Sequence, residues 1–219
     1  MCHASDLHGR NPELPYADLY INTGDLAPDF VIANRRGGYL HEPAKQRDWI
    51  SDHKGLYRKS MGNPDAPVVC VRGNHDWNNL ASLWGGEVYE IGKEYTEYNL
   101  VIKGRQLKIG GIRGVLAINS FWSDEKACEA DFKVVDFSPE LDILVTHQPP
   151  YGILDAVNPF TKLGSRDLRS YSSKRSMVGS KPLLHCFGHI HEGFGVVTHG
   201  ESPTVTFSNA ACGYNELTI

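Results

Sequence analysis

Five short polar blocks, spread over almost the whole 219-residue chain, carry metal-binding side chains at points where apolar runs end. The blocks are Asp6-Leu7-His8, Gly24-Asp25, Gly73-Asn74-His75-Asp76, Thr146-His147 and Gly188-His189-Ile190-His191. Carboxylate, amide oxygen and imidazole are ligands that Mn, Fe, Zn, Co and Ni accept. The sequence has no cluster of cysteines, which argues against a structural zinc or iron–sulfur site. The set is large enough to hold two divalent metals.

The apolar runs before these blocks predict strands. They cover residues 16–23, 66–71, 141–146 and 183–187. In layered α/β folds, functional groups gather beyond the carboxyl ends of the strands, so the blocks are expected to form a single site. Since five residues precede Asp6, the first strand must be very short, unless the natural N-terminus lies upstream.

The rest of the chain predicts further elements around this frame. Residues 40–60 have the apolar spacing of a helix, which Gly62-Asn63-Pro64 would stop. Residues 88–121 alternate as strands do, with a hairpin turn expected at Gly104-Arg105. Three more elements are expected: a short helix at 125–130, a helix piece with a mobile loop within 151–180, and a closing hairpin around Gly200. Because the blocks run from residue 6 to 191, a single domain over 1–219 is predicted.

Composition narrows the class of protein. Apolar residues make up 41% and charged residues 22%, as in globular domains. A formal net charge of −4 argues against a nucleic-acid partner, because nucleic-acid-binding surfaces are usually basic. The five scattered cysteines read as reduced thiols, and the sequence shows neither a signal peptide nor an apolar span of about 18 residues. A cytoplasmic protein without a membrane partner is therefore expected.

Taken in order, D-x-H, G-D, G-N-H-D, H and G-H-x-H resemble the motif set of the calcineurin-like metallophosphoesterases over essentially the whole chain. The resemblance implies an α/β fold with two mixed β-sheets packed as a sandwich and flanked by helices. It also implies two divalent metal ions, with Mn favoured and Fe, Zn, Ni or Co as alternatives. The implied ligands are Asp6, His8 and His191 for one metal, Asn74, His147 and His189 for the other, and Asp25 as the bridge.

The resemblance further implies a reaction. A hydroxide shared by the metals would attack phosphorus in line, while His75 acts as general acid and Asp76 orients His75. Asn74 and His75 would contact the substrate. Arg35 and Arg36 would reach a substrate phosphate, although a solvated turn explains these two arginines equally well.

Longer stretches resemble one subgroup, the metallophosphoesterase-domain proteins. They are residues 146–152, 187–195 and 208–210. Several members of that subgroup are phosphodiesterases, so the resemblance favours a small phosphodiester substrate, cyclic or otherwise nucleotide-like. The alternatives are a phosphomonoesterase, a protein phosphatase, a nuclease and a non-catalytic scaffold. Protein phosphatases fit worse, because they have an Arg soon after Gly24-Asp25 and a Glu at the position of Asp76.

The histidines outside the blocks read as surface or hydrogen-bonded residues. They are His3, His41, His53, His185 and His199. The stretch 166–175 would be a polar surface loop, with a substrate lid or a nucleic-acid contact as alternatives. Tyr151 and Phe160 would be packing residues or a wall for base stacking. The sequence carries no sign of the oligomeric state.

Overall fold

The computed structural model describes residues 1–33, 39–116, 132, 135–177, 181–200 and 204–219. The predicted helix at 125–130 and both arginines of the loop after Asp29, Arg35 and Arg36, lie outside these residues. Within the described ranges, no helix is long and apolar enough to cross a membrane.

The first sheet has five strands in the order β15-β1-β2-β5-β6. Its strands are β1 (Cys2–Ser5), β2 (Tyr20–Asn22), β5 (Val68–Val71), β6 (Val88–Ile91) and β15 (Gly213–Glu216). The four strands from β1 to β6 run parallel, and only β15 is antiparallel to its neighbour. The carboxyl ends of the four parallel strands therefore meet at one edge.

The second sheet has six strands in the order β13-β14-β12-β9-β8-β7. Its strands are β7 (Thr96–Ile102), β8 (Arg105–Ile112), β9 (Ile143–Thr146), β12 (Leu183–Phe187), β13 (Gly195–His199) and β14 (Val205–Asn209). Pairing is parallel in the middle and antiparallel at both edges. Two small hairpins stand apart from the sheets: β3 (Val31–Ala33) with β4 (Tyr39–His41), and β10 (Ala156–Asn158) with β11 (Thr161–Lys162).

The two sheets pack face to face, because alternate residues of their strands are apolar and point between them. Ile21 and Val69 of the first sheet share one buried cluster with Ile109 and Val145 of the second. Three helices, α1 (Pro43–Asp52), α2 (Leu56–Ser60) and α3 (Ala81–Trp84), cover the outer face of the first sheet. The helix α4 (Arg166–Arg175) packs on the outer face of the second through Leu168. This four-layer arrangement confirms the predicted fold class.

Several local predictions are confirmed and others need correction. Strand β1 is indeed short, and β13 and β14 form the closing hairpin. The helix expected over 40–60 is two helices, separated near Gly55, whose φ of 68° a helix interior does not allow. The hairpin turn lies at Lys103-Gly104, because Arg105 already pairs with Ile102. The alternating stretch from residue 88 does not form one unit, since β6 belongs to the first sheet and β7 to the second.

Candidate metal centre

The predicted metal ligands lie at the carboxyl ends of strands from both sheets. Asp6 follows β1, Asp25 follows β2 and Asn74 follows β5 in the first sheet. His147 follows β9 and His189 follows β12 in the second. Because the sheets are stacked, these five loops converge at one edge of the sandwich, as the sequence predicts.

One group of side chains brings together Asp6, His8 and His191, whose potential ligand atoms all lie within 4.8 Å of one another. Asp6 Oδ1 is 3.3 Å from His191 Nε2. The other oxygen of Asp6 is held in place, because it accepts hydrogen bonds from the Ser5 hydroxyl and from the backbone N–H of His189. The carboxylate is therefore fixed with one oxygen presented to the two histidines.

A second group brings together Asp25, His147 and His189, again with ligand atoms within 4.8 Å. His147 Nε2 lies 3.2 Å from Asp25 Oδ2 and 3.0 Å from Asn74 Oδ1. The other ring nitrogen of His147, Nδ1, lies 2.5 Å from the backbone oxygen of Thr23. Since a carbonyl oxygen only accepts, Nδ1 carries a proton, and Nε2 is the ring nitrogen that faces Asp25 and Asn74.

The donor set fits divalent metals. Among the described residues, His189 Nε2 and His8 Nε2 are buried and lack a hydrogen-bond partner. Buried polar atoms in folded proteins normally have such partners, so a cluster of atoms without them calls for another kind of partner. Carboxylate and imidazole donors in this number suit two divalent cations of the Mn, Fe, Co, Ni or Zn type.

Asp25 and His189 have the protonation states that bind metal, whereas His147 has to lose a proton. Burial lowers the pKa of His147, but the carboxylate of Asp25 outweighs burial and raises the pKa to about 9. Burial raises the pKa of Asp25, but the nearby His147 and His75 more than compensate and hold it well below the usual range. Burial lowers the pKa of His189 to about 3, so its imidazole is neutral. An ionised carboxylate and a neutral imidazole are the forms that bind metal.

The backbone at these positions is strained. Asp6, His8, Asp25 and His189 have φ values of 53°, 45°, 52° and 72°, a region that non-glycine residues rarely occupy. Two glycines provide the space between the loops. A Cβ at Gly73 would lie 2.1 Å from Asp25 Oδ1, and one at Gly188 would lie 2.2 Å from Asp6 Oδ2. Strain of this kind concentrates at functional sites because the surrounding structure holds the residues in place.

His75 lies beside both groups, but its partner is not the predicted one. Its Nδ1 is 2.7 Å from Asp29 Oδ1, while Asp29 Oδ2 is 3.5 Å from His8 Nδ1. The predicted contact between Asp76 and His75 is therefore wrong, and Asp29 makes it instead.

Asp76 has a structural role, because its buried carboxylate accepts four backbone N–H groups. The donors are Asp25 at 2.6 Å, Gly73 at 3.0 Å, Leu26 at 3.1 Å and Ala27 at 3.2 Å. Burial and then the negative charge of Asp25 raise the pKa of Asp76 to about 6, so the group is ionised at neutral pH. It ties the loop that carries Asp25 to the loop that carries Asn74.

The charge state of His75 suits a proton donor. Burial lowers its pKa, but the carboxylates of Asp25 and Asp29 outweigh that effect and raise the pKa to about 9. Its backbone is fixed on both sides, since its N–H donates to Asp25 Oδ1 and its carbonyl accepts from Gln46 Nε2. Gln46 is buried on α1, and no sequence motif marks it as part of the site.

The remaining candidate residues are placed as follows. Arg35 and Arg36 lie outside the described residues. Tyr151 packs against the guanidinium of Arg166, 4.1 Å from the ring centroid, whereas Phe160 is 96% exposed. The stretch 166–175 is the helix α4.

Comparison with known proteins places this geometry in context. A family described as calcineurin-like phosphoesterase matches residues 2–193. A UPF0046 protein of Caenorhabditis elegans is 39% identical over 220 residues, which is 94% of this chain and 70% of the relative. Human metallophosphoesterase domain-containing protein 1 is 25% identical over 94% of this chain and 64% of its own length. A probable rhamnogalacturonate lyase C of Emericella nidulans is 31% identical over 87% of this chain, and the chain spans only 17% of that protein.

Proposed function

Because this chain belongs to the calcineurin-like phosphoesterase family, we propose that it is a metal-dependent phosphodiesterase acting on small, nucleotide-type phosphodiesters such as cyclic nucleotides. One observation carries the proposal: the two groups of metal-binding side chains described above lie next to each other, and a third group joins His75 to His8 and Asp29. Resemblance to the metallophosphoesterase domain-containing protein supports the choice of subgroup.

In this proposal Asp6, His8 and His191 hold one metal, and Asn74, His147 and His189 hold the other. Asp25 would contribute to both sites, since a carboxylate has two oxygens that can bind cations. When bound, two divalent ions supply Lewis acidity toward the phosphate oxygens and lower the pKa of water. Manganese is the first ion to test, and Fe, Zn, Ni and Co are the alternatives.

The chain's own residues position the substrate and move the proton. The Nδ1–H of His75 donates a hydrogen bond to Asp29. The Nε2–H of His75 therefore remains available for proton transfer to the departing oxygen. The Asn74 amide, 3.0 Å from His147 Nε2, lies within the same site and can also contact the substrate. We assign substrate contacts to Arg35 and Arg36 as well, because both follow the Asp29 loop in sequence.

Both sheets supply ligands, so residues 1–219 are proposed to act as one catalytic domain. The chain spans 17% of the length of one curated relative that it matches and 64% of another. The activity of any longer protein that contains this chain is therefore also only proposed. Among the described residues the four cysteines are free, which supports a cytoplasmic location.

The test compares hydrolysis of bis-p-nitrophenyl phosphate and p-nitrophenyl phosphate with added Mn²⁺, for the wild type and the variants Asp25→Asn and His75→Ala. Preferential diester cleavage that Asp25→Asn abolishes is the expected result. His75→Ala should keep its metals and lose about 10²–10⁴-fold in turnover. Asp142→Asn is the control, because Asp142 lies at the opposite end of β9 from His147 and its carboxylate pairs with Lys181. Faster monoester cleavage would make the protein a phosphatase, and turnover independent of Asp25 would contradict the metal mechanism.

A further inference from the structure

His3 is a fully buried histidine in the short strand β1. Its neighbours Cys2 and Ala4 belong to the cluster on the outer face of the first sheet, so alternation turns His3 toward the second sheet. There its Nδ1 lies 2.8 Å from Ser208 Oγ and its Nε2 lies 2.9 Å from Thr23 Oγ1. Ser208 is on β14 of the second sheet, whereas Thr23 follows β2 of the first. His3 therefore links the two sheets directly beneath the metal centre.

The hydrogen-bond donors and acceptors around His3 determine which of its ring nitrogens carries the proton. Asn215 Nδ2 donates to Ser208 Oγ at 3.0 Å, so the hydroxyl hydrogen of Ser208 remains for His3 Nδ1. Burial lowers the pKa of His3 to about 3, so the ring is neutral and carries a single N–H. With Nδ1 accepting, that N–H is on Nε2 and donates to Thr23 Oγ1. This arrangement leaves no ring nitrogen of His3 unpaired.

Thr23 continues the link to a predicted metal ligand. Its side chain is held by His3, and its backbone N–H donates to Ala4 O at 3.1 Å. Its backbone oxygen accepts the hydrogen bond from His147 Nδ1 that directs Nε2 toward Asp25 and Asn74. A shift of Thr23 would therefore turn the His147 ring away from the site or free its proton to move between the ring nitrogens.

We propose that His3 is a positioning residue for the metal centre: by holding Thr23 between the sheets, it fixes the orientation and tautomer of His147. The inference rests on the proposed function, because it takes His147 to be a ligand. An apolar residue would fill this interior position at lower desolvation cost, as Ile21 and Val69 do nearby. Partners that orient a metal-binding histidine typically change metal affinity 10–100-fold when removed.

The test is calorimetric titration of metal-stripped protein with Mn²⁺, which needs no turnover. The wild type should bind two ions. His3→Leu removes both hydrogen bonds, and we expect one of the two sites to weaken by about 10–100-fold while the other changes little. Thr23→Val cuts the same link from the other end and keeps the Thr23 carbonyl, so it should weaken the same site. The double variant should then be no weaker than either single variant, because both remove one shared interaction.

Val69→Ala is the matched control, since Val69 is buried between the sheets and its loss destabilises the fold without touching the link. It should leave both metal affinities unchanged. If His3→Leu and Val69→Ala weakened metal binding to the same extent at both sites, the positioning role would be overturned. Wild-type metal affinities in Thr23→Val would overturn it as well. A wild-type protein that binds fewer than two ions would overturn the proposed function together with this inference.

Discussion

The carboxylate of Asp76 allows a test of what stabilises the loops of the metal centre. The substitution of Asp by Asn can be compared at Asp76 and at a second buried aspartate whose hydrogen bonds are arranged differently. Asp76 uses both oxygens, Oδ2 for the N–H groups of Asp25 and Gly73 and Oδ1 for those of Leu26 and Ala27. In Asp76→Asn, an amide NH₂ replaces one oxygen and faces two buried backbone donors. Two charge-assisted hydrogen bonds are then lost.

Each such bond contributes about 1.5–3 kcal/mol. Relief of the repulsion between Asp76 and Asp25 offsets part of the loss, so a net destabilisation of about 2–4 kcal/mol is expected for Asp76→Asn. Asp155 is equally buried, but it holds Gly152 and Gly164 with the single oxygen Oδ2. The amide oxygen of Asp155→Asn can keep both bonds, so that variant should lose less than about 1.5 kcal/mol.

Urea unfolding at pH 7.5 in the presence of EDTA measures both losses without a contribution from bound metal. Equal losses in the two variants would refute the argument from oxygen geometry, as would a loss below about 1 kcal/mol for Asp76→Asn. Mn²⁺ titration then checks the consequence for the site, since a loosened loop at Asp25 should weaken metal binding in Asp76→Asn and leave Asp155→Asn near the wild type.

Three further results are expected. Gly188→Ala should weaken Mn²⁺ binding by at least about 10-fold in a titration, because its Cβ would lie 2.2 Å from Asp6 Oδ2; unchanged affinity would show that the loops can separate without cost. Asp29→Asn removes a charge that raises the pKa of His75, so the alkaline limb of the pH–rate profile should move to lower pH, and an unmoved limb would exclude His75 as the acid. Burial lowers the pKa of His185 to about 3, below its unfolded value of about 6.5, so its contribution to stability is complete above pH 6.5 and falls by up to about 1.4 kcal/mol per pH unit below it. Urea midpoints between pH 4.5 and 7 should show this loss in the wild type and a smaller one in His185→Phe.

The sequence predicts the fold class and the convergence of the five polar blocks at one site. Both depend on the local alternation of apolar runs and polar blocks. An apolar run that stops at a polar block indicates where a strand ends, and the carboxyl ends of parallel strands lie at one edge whatever their order. The convergence of Asp6 and His189, 183 positions apart, therefore followed from short motifs.

Other features depend on contacts between distant segments and left no local mark. Strand β15 pairs Glu216 with Cys2 at the opposite end of the chain, and no turn or periodic pattern relates them. The exchange of Asp76 for Asp29 as partner of His75 has the same origin. Adjacency in sequence suggested Asp76, whereas loop geometry turns that carboxylate toward four backbone N–H groups and brings Asp29 to the imidazole.

The positive φ angles of Asp6, His8, Asp25 and His189 bear on any attempt to redesign this protein. A left-handed backbone conformation costs a non-glycine residue about 1–2 kcal/mol, and glycine relieves it. A redesign procedure that scores only folding energy on this backbone would favour glycine at those four positions. It would produce a more stable sandwich from which four of the predicted ligands had been erased. At these four positions, the side chain that metal binding requires and the residue that the main-chain torsion favours are therefore different.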